Sequence, residues 1–415
     1  MVREGPPEGG HYQDGRPDCI ECVTRVARPL VIIFLTIFVN LVGFGIIIPL
    51  LPYYAETFGA SPFVIGLLFA VFSLCQLAAA PALGDLSDRY GRRPILIFSL
   101  VGTVVSFVML AVAHSITMLF AARIVDGLSG GNISTARAYV ADVTEPQDRA
   151  RAYGLIGAAF GLGFILGPAL SGALSHISYT APIWAAAAVT LLATAMAWLW
   201  LPETVHRVHA GAGNPFKYLP TLWQRAPIRR VLVIDFVYWC AFAVFQTTFA
   251  LFVARRFGFT VAKTGYFFAA FGVLGSIIQG GLIRMIVARF GDIATFRVGL
   301  ALGAVGLVSA AAAHSVTLFA VALVPLAFGI GLGHPTMASL VSLVASSDEQ
   351  GRVQGAASAV ESLGRTVGPI WGNSTLQQLG ESAPYTSAAV LLLLTLVLTV
   401  GFHVTRARPE PVSPS

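Results

Sequence analysis

Charge is what this 415-residue chain lacks most: Asp, Glu, Lys and Arg together make up 11% of it. Soluble domains carry about 25%, which excludes a reading as two or three soluble domains. Cysteine is scarce as well, four residues in all. Cys75 and Cys240 fall inside apolar runs and read as packing residues. Cys19 and Cys22 form one CxxC in a polar tail, residues 1–28. Even with His11 or Asp18 that is half a zinc site, so the tail reads as reduced and disordered. It also lacks the apolar stretch of a secretory signal. No Walker-type phosphate loop, metal cluster or nucleophile–base pair is present, so no cofactor or metal is implied and no enzyme is expected. The net charge of +6 comes from residues scattered through short connections, which argues against a nucleic-acid partner.

What the chain has is hydrophobic residue, 56% of the total. Apolar runs fall at about 30–51, 64–83, 94–113, 117–141, 150–173, 181–201, 230–252, 264–287, 294–313, 316–344, 352–376 and 384–405. Each suffices for a helix to cross a hydrocarbon core of about 30 Å. The fold class expected is therefore all-α, a polytopic membrane protein of twelve spans in a lipid bilayer. Lys and Arg collect in the termini and the even-numbered connections. The odd-numbered connections hold only Arg255, Arg256 and Lys263, and Arg123, Arg137 and Arg365 lie inside spans. The positive-inside rule then places both termini in the cytoplasm of an inner-membrane protein.

An offset of 200 or 201 residues maps the first half onto the second. Arg89 and Gly91 fall on Arg289 and Gly291. Arg151, Gly154, Gly163, Gly167 and Pro168 fall on Arg352, Gly355, Gly364, Gly368 and Pro369. The expected division is a tail (1–28), a six-helix half (29–202), a cytoplasmic linker (203–229), a second six-helix half (230–406) and a short tail (407–415). Parallel six-helix repeats are a transporter architecture, with the site near the midplane between them.

Buried charge marks candidate chemistry, because an ionisable group inside a membrane is costly. On one continuous helix, Arg123, Asp126, Gly130, Ser134 and Arg137 of span 4 would share a stripe about 80° wide. Arg123 and Asp126, at i and i+3, either form a structural pair or act together, Asp126 exchanging a proton under the control of Arg123. Asp235 in span 7 and His334 in span 10 are further proton candidates, His334 equally readable as a satisfied buried histidine. Glu361 and Arg365, at i and i+4 in span 11, read as an ion pair at the interface. Asn40, Gln76, Arg137, Gln246 and Gln279 are placed to line a substrate cavity, the neutral ones being equally suited to helix contacts.

The stretch "GDLSDRYGRRP" (84–94) resembles the helix 2–3 signature of the major facilitator superfamily. "GLIGAAFGLGFILGPALSG" (154–172) resembles the helix 5 signature of its drug/proton antiporter branch. "ARIVDGLSGGNIS" (122–134) and "NLVGFGIIIPLLP" (40–52) are similar to the tetracycline/proton antiporters and their relatives. The resemblance implies a cytoplasmic latch of Gly84, Asp88, Arg89, Gly91 and Arg92, with Arg92 paired to Asp142 and Asp88 near a helix end of the other half. It also implies that Gly154, Gly163, Gly167 and Pro168 line a seam between the halves. The chain departs from the tetracycline exporters at Asn40, Gly275 and Gly303, where they carry an aspartate, a histidine and an aspartate, while Gln76 and Gln279 match.

The function expected is secondary transport by alternating access: proton-coupled export of small amphipathic compounds by a monomer. A facilitator or proton symporter for a nutrient or metabolite is the alternative on the same fold, and a non-transporting receptor or scaffold that of another class. Asn40 cannot ionise, and the expectation is that proton coupling lies away from span 1. Asn40→Ala should change substrate affinity or preference several-fold and leave the pH profile of transport in place. A large pH shift would return this position to the proton path.

Overall fold

Without water, a chain in hydrocarbon must satisfy its backbone groups internally, and every element among the described residues is helical. The computed structural model describes residues 19–130, 132–144, 149–204, 215–346 and 349–402. The first three spans are α1 (Cys19–Glu56), α2 (Pro62–Tyr90) and α3 (Arg92–Ala111). The fourth is split into α4 (Ile116–Ser129) and α5 (Asn132–Val143). The fifth and sixth are α6 (Arg149–Leu174) and α7 (Ala181–Trp200). A short α8 (Pro215–Trp223) lies in the central connection. The second half continues with α9 (Ala226–Phe257), then α10 (Val261–Ile277) and α11 (Ile283–Phe290), which are joined by a π-helical turn at Ile278–Leu282. Spans 9 to 12 are α12 (Asp292–Ala312), α13 (Val316–Leu343), α14 (Gln350–Leu379) and α15 (Ala383–Leu398).

Nine of these segments are long and apolar enough to cross a membrane by length and composition. The other three spans fall short for separate reasons. Span 4 breaks at Gly130, between α4 and α5. α14 has 30 residues but carries Gln, Asn, Ser, Glu361 and Arg365 along a helix wedged between α2 and α9. α15 is apolar but only 16 residues long. By contrast, Leu191, Leu192, Trp198, Leu199 and Trp200 of α7 are exposed, as lipid-facing side chains are.

The repeat is visible in local geometry. Gly91 between α2 and α3 has φ +107°, and Gly291 between α11 and α12 has φ +80°, a region open to glycine and costly for other residues. Ser115 and Ser315 cap α4 and α13 by accepting from the backbone N–H of Met118 and Leu318. Packing repeats too. A methyl group on Gly167 would lie 2.7 Å from the Val42 carbonyl oxygen and the Gly45 Cα, and one on Gly368 would lie 2.7 Å from the Cys240 carbonyl oxygen and the Ala243 Cβ. Spans 5 and 11 therefore press on spans 1 and 7 in the same manner.

Two further contacts join the halves. Gly66 of α2 lies against the Pro369 carbonyl of α14, and Gly265 of α10 against the Pro168 carbonyl of α6, each too close for a Cβ. The α6–α10 seam continues through Gly172 with Ala262 and Tyr266, Gly272 with Phe164, and Gly161 with Ser276. The same face is sealed by Tyr53 of α1, whose hydroxyl lies 2.6 Å from Thr264 Oγ1 and donates to the Phe259 carbonyl at 3.0 Å. Nearby, Phe63 N–H donates to Gln377 Oε1 at 3.0 Å. Toward the opposite face the seam parts: Gly154 and Gly157 of α6 and Gly280 and Gly281 of the π turn meet nothing within 4 Å.

The antiparallel register of this seam, continued toward the open face, sets Gly157 against Gly280. In a chain whose native cysteines are replaced, Gly157→Cys with Gly280→Cys should form a disulfide only when that face closes, and reduction should restore transport. Failure to cross-link in every state, while Gly172→Cys with Ala262→Cys links readily, would rule this register out.

Candidate functional site

Three groups of polar residues stand out, one in each half and one at the open face. In the first half, Arg123 and Asp126 share one face of α4, and Arg123 Nη1 lies 2.9 Å from Asp126 Oδ2. The arginine side chain is 1% exposed and the aspartate 10%, so neither charge rests on water. The guanidinium also lies 4.1 Å over the ring of Phe72 in α2, a cation–π contact that partly replaces lost hydration. Thr103 of α3 donates a hydrogen bond to Asp126. Arg123 Nε and Nη2 have no hydrogen-bond partner among the described residues. Gly127 allows α4 to approach Phe72 and Cys75 of α2.

Span 4 does not remain one helix below this pair. α4 stops at Ser129, and Gln76 Nε2 donates to the Gly130 carbonyl at 3.0 Å, satisfying a backbone acceptor freed by the break. A single helical wheel from Arg123 to Arg137 therefore does not describe the chain. The side chains of Ser134 and Arg137 lie outside the described residues. Asn40 is half-buried on α1, Gln246 is buried in α9, and Gln279 is exposed on the π turn. No hydrogen bond among the described residues joins these positions into one site.

In the second half, α9, α13 and α14 bring together Asp235, Tyr238, Trp239, His334, Glu361 and Arg365. Asp235 accepts a hydrogen bond from Trp239 and lies within electrostatic reach of Glu361 and Arg365. The His334 ring stacks on Trp239 with centroids 4.8 Å apart and planes 21° from parallel. The Arg365 guanidinium lies 5.4 Å over that indole. Phe242 and Tyr238 meet His334 edge-on at 4.7 and 5.5 Å. Gly364 and Gly333 make room for this arrangement, against Trp239 and Tyr238 respectively.

At the open face, Arg92 links two helices and a turn. Its Nε lies 3.1 Å from Asp142 Oδ2 at the end of α5, and its Nη1 pairs with Asp88 one turn back and donates to Ser87 Oγ at 2.6 Å. Asp88 is thus engaged within its own half. Glu203, the first charged residue after α7, accepts from the backbone N–H of Arg92 at 2.9 Å and of Arg93 at 3.2 Å. It caps α3, where a negative charge is favoured. Arg89 lies 5.4 Å over the ring of Tyr90. Gly84 has open space beside it, because the halves part at this level. In the second half Arg225 pairs with Glu349. That contact and the Ser346 hydroxyl hold the Glu349 carboxyl below its ordinary range, so the link persists at neutral pH and is lost only as pH falls through that lowered value.

The resemblance implied that Gly163 and Gly167 lie on the seam between halves. The structure instead turns them toward Leu41, Val42 and Gly45 of α1, since a helix buried on two sides presents different faces to its two neighbours. The seam residues are Phe164, the Pro168 carbonyl and Gly172. Several contributors carry little or no local signal in the sequence: Glu203, Thr103, Phe72, Tyr53 and Trp239. Each acts through a partner far along the chain. Only the isolated charge of Glu203 after an apolar helix marks its position.

Arg92→Ala removes the contacts to Asp142, Asp88 and Ser87 together. It should cut transport several-fold with modest loss of membrane-inserted protein, and Asp88→Asn should do so to a lesser degree. Near-normal transport in both variants would leave these residues as markers of topology.

Comparison with known proteins agrees with this architecture. The family model described as Major Facilitator Superfamily matches residues 33–369 and 282–415. The class G tetracycline resistance protein of Vibrio anguillarum is 34% identical over 348 residues, covering 82% of this chain and 88% of that protein. The class C tetracycline resistance protein of Escherichia coli is 32% identical over 352 residues, with the same coverage of each. Among solved structures, the crystal structure of the human organic anion transporter MFSD10 (TETRAN) superposes with a TM-score of 0.70 at 25% identity, covering 90% of this chain and 99% of that one. With twelve spans in two six-helix repeats that meet on one face and part on the other, the chain belongs to the major facilitator superfamily of membrane transporters.

Proposed function

We propose that this protein exports small amphipathic compounds across an inner membrane in exchange for protons, by alternating access. The observation that carries the reading is a buried acid–base pair, Arg123 with Asp126, in the middle of a span, within a bundle open on one face only. A transporter needs such a group where its surroundings change between states, since only differential interaction shifts populations. The open face bears the Lys- and Arg-rich connections, which supports a cytoplasmic position for it and for both termini. The state described is then inward-open.

The tetracycline resistance relatives support a drug-like substrate class. Asn40, Gly275 and Gly303 argue against tetracycline itself, because three ionisable positions implied by the resemblance are lost. Export, proton exchange and orientation are one testable set in sealed vesicles. Asp126→Asn in proteoliposomes should reduce proton-driven accumulation by about tenfold or more and leave downhill exchange measurable. Arg123→Ala should displace the pH dependence of that accumulation, because the guanidinium governs whether Asp126 carries charge. If Asp126→Asn still concentrates substrate against its gradient, the coupling proton resides elsewhere.

A further inference from the structure

The cluster on α9, α13 and α14 contains four buried polar atoms that no group among the described residues hydrogen-bonds: Asp235 Oδ2, Tyr238 Oη, His334 Nε2 and Arg365 Nε. Asp235 is 1% exposed and Tyr238 3%. Buried polar atoms are nearly always paired, so four orphans around one indole mark a place built to receive something. Trp239, Phe242, His334 and Arg365 are only half-buried, which gives the cluster a side open to approach. We propose that it is a polar subsite of the transport cavity, one that takes a planar aromatic compound through a neutral group able both to donate and to accept hydrogen bonds. The proposal rests on the exporter reading and names the chemistry that its cavity selects.

The charges select that chemistry by elimination. A carboxylate ligand would accept from Arg365 but meet the acids Asp235 and Glu361, and an ammonium would donate to those acids but meet the Arg365 guanidinium. In a site this dry neither repulsion is screened. A hydroxyl, enol or carboxamide can donate to Asp235 Oδ2 and accept from Arg365 Nε or Tyr238 Oη without a like-charge contact. The attached ring finds a ready surface, because the Trp239 face already holds a flat ring in parallel, the imidazole of His334. Swinging that imidazole aside breaks no hydrogen bond at Nε2. His334 is then a placeholder for the ligand ring.

Three probes that share one ring test this with the full-length protein in detergent: 2-naphthamide, 2-naphthoate and 2-naphthylmethylammonium, by equilibrium dialysis. The amide should bind roughly tenfold tighter than either charged probe, as expected where a site is built for a hydrogen-bonding group. Asp235→Asn should shift the preference toward 2-naphthoate, and Arg365→Gln toward 2-naphthylmethylammonium. His334→Ala should leave amide binding as tight or tighter, because it uncovers the indole face. A charged probe binding tightest to the unaltered protein would overturn the proposal. So would no saturable binding of any probe, or a rank order unchanged in both charge variants. The wild-type rank order needs no variant, so misfolding of one substitution does not rescue the idea. Binding is read without a gradient, so a protein that selects the amide yet shows no proton-coupled flux would refute the exporter reading and leave this subsite standing.

Discussion

The structure depends on two close approaches of glycine to a proline carbonyl. Gly66 against Pro369 and Gly265 against Pro168 are the same contact made twice, because the chain repeats with an offset of about two hundred residues. A proline inside a helix removes one backbone donor and frees the carbonyl four residues earlier, that of Phe164 in the case of Pro168. Glycines on the facing helix are small enough to lie against the backbone at both points, Gly272 at Phe164 and Gly265 at Pro168. Backbone surfaces that touch without intervening side chains can pivot over one another with little repacking. Such a joint keeps two bundles together on one face while leaving them free to part on the other. Tyr53, reaching Thr264 and the Phe259 carbonyl from the opposite half, and Phe63, donating to Gln377, add directional bonds to a seam that is otherwise built on close steric contact.

That geometry explains where charge is placed. At the open face Arg92 meets Asp142, Asp88 and Ser87, contacts at the water boundary that reorganise at small cost. In the interior the two halves differ. The Arg123–Asp126 pair of the first half is direct and supported by Thr103 and Phe72. The second half spreads its charges over two helices, α9 and α14, around Trp239.

Much of the fold was legible in the sequence, because long apolar runs, the bias of Lys and Arg between connections and the repeat are all one-dimensional signals. The glycines that bear the repeat could be read as important; which neighbour each faces could not. Gly163 and Gly167 illustrate the limit: their spacing marks a packing face, but only the assembled bundle turns that face toward α1. Span 4 shows a second limit. Its hydrophobic run is continuous, yet Gly130 lets the helix break there and Gln76 stabilises the break from another helix. The candidate site was legible at its charged members, since a charge in an apolar run stands out. Trp239 and Tyr238 were invisible among the many aromatics of a membrane chain, although they organise the second cluster.

The same backbone repeat thus carries unlike chemistry in its two halves. Gly364 and Gly163 press on spans 7 and 1 in equivalent ways, but the surface that Gly364 accommodates is Trp239, whereas Gly163 accommodates Leu41. A joint that pivots symmetrically needs symmetric backbone contacts, and those are kept. Selection among ligands needs an asymmetric lining, because a site between two equivalent surfaces would treat both ends of a molecule alike. The first half encloses a guanidinium–carboxylate pair directly bonded within one helix turn. The second presents an indole face bordered by polar atoms that have no hydrogen-bond partner among the described residues. The duplication supplies the motion, and the divergence of side chains around Trp239 supplies a surface on which one ligand chemistry can be told from another.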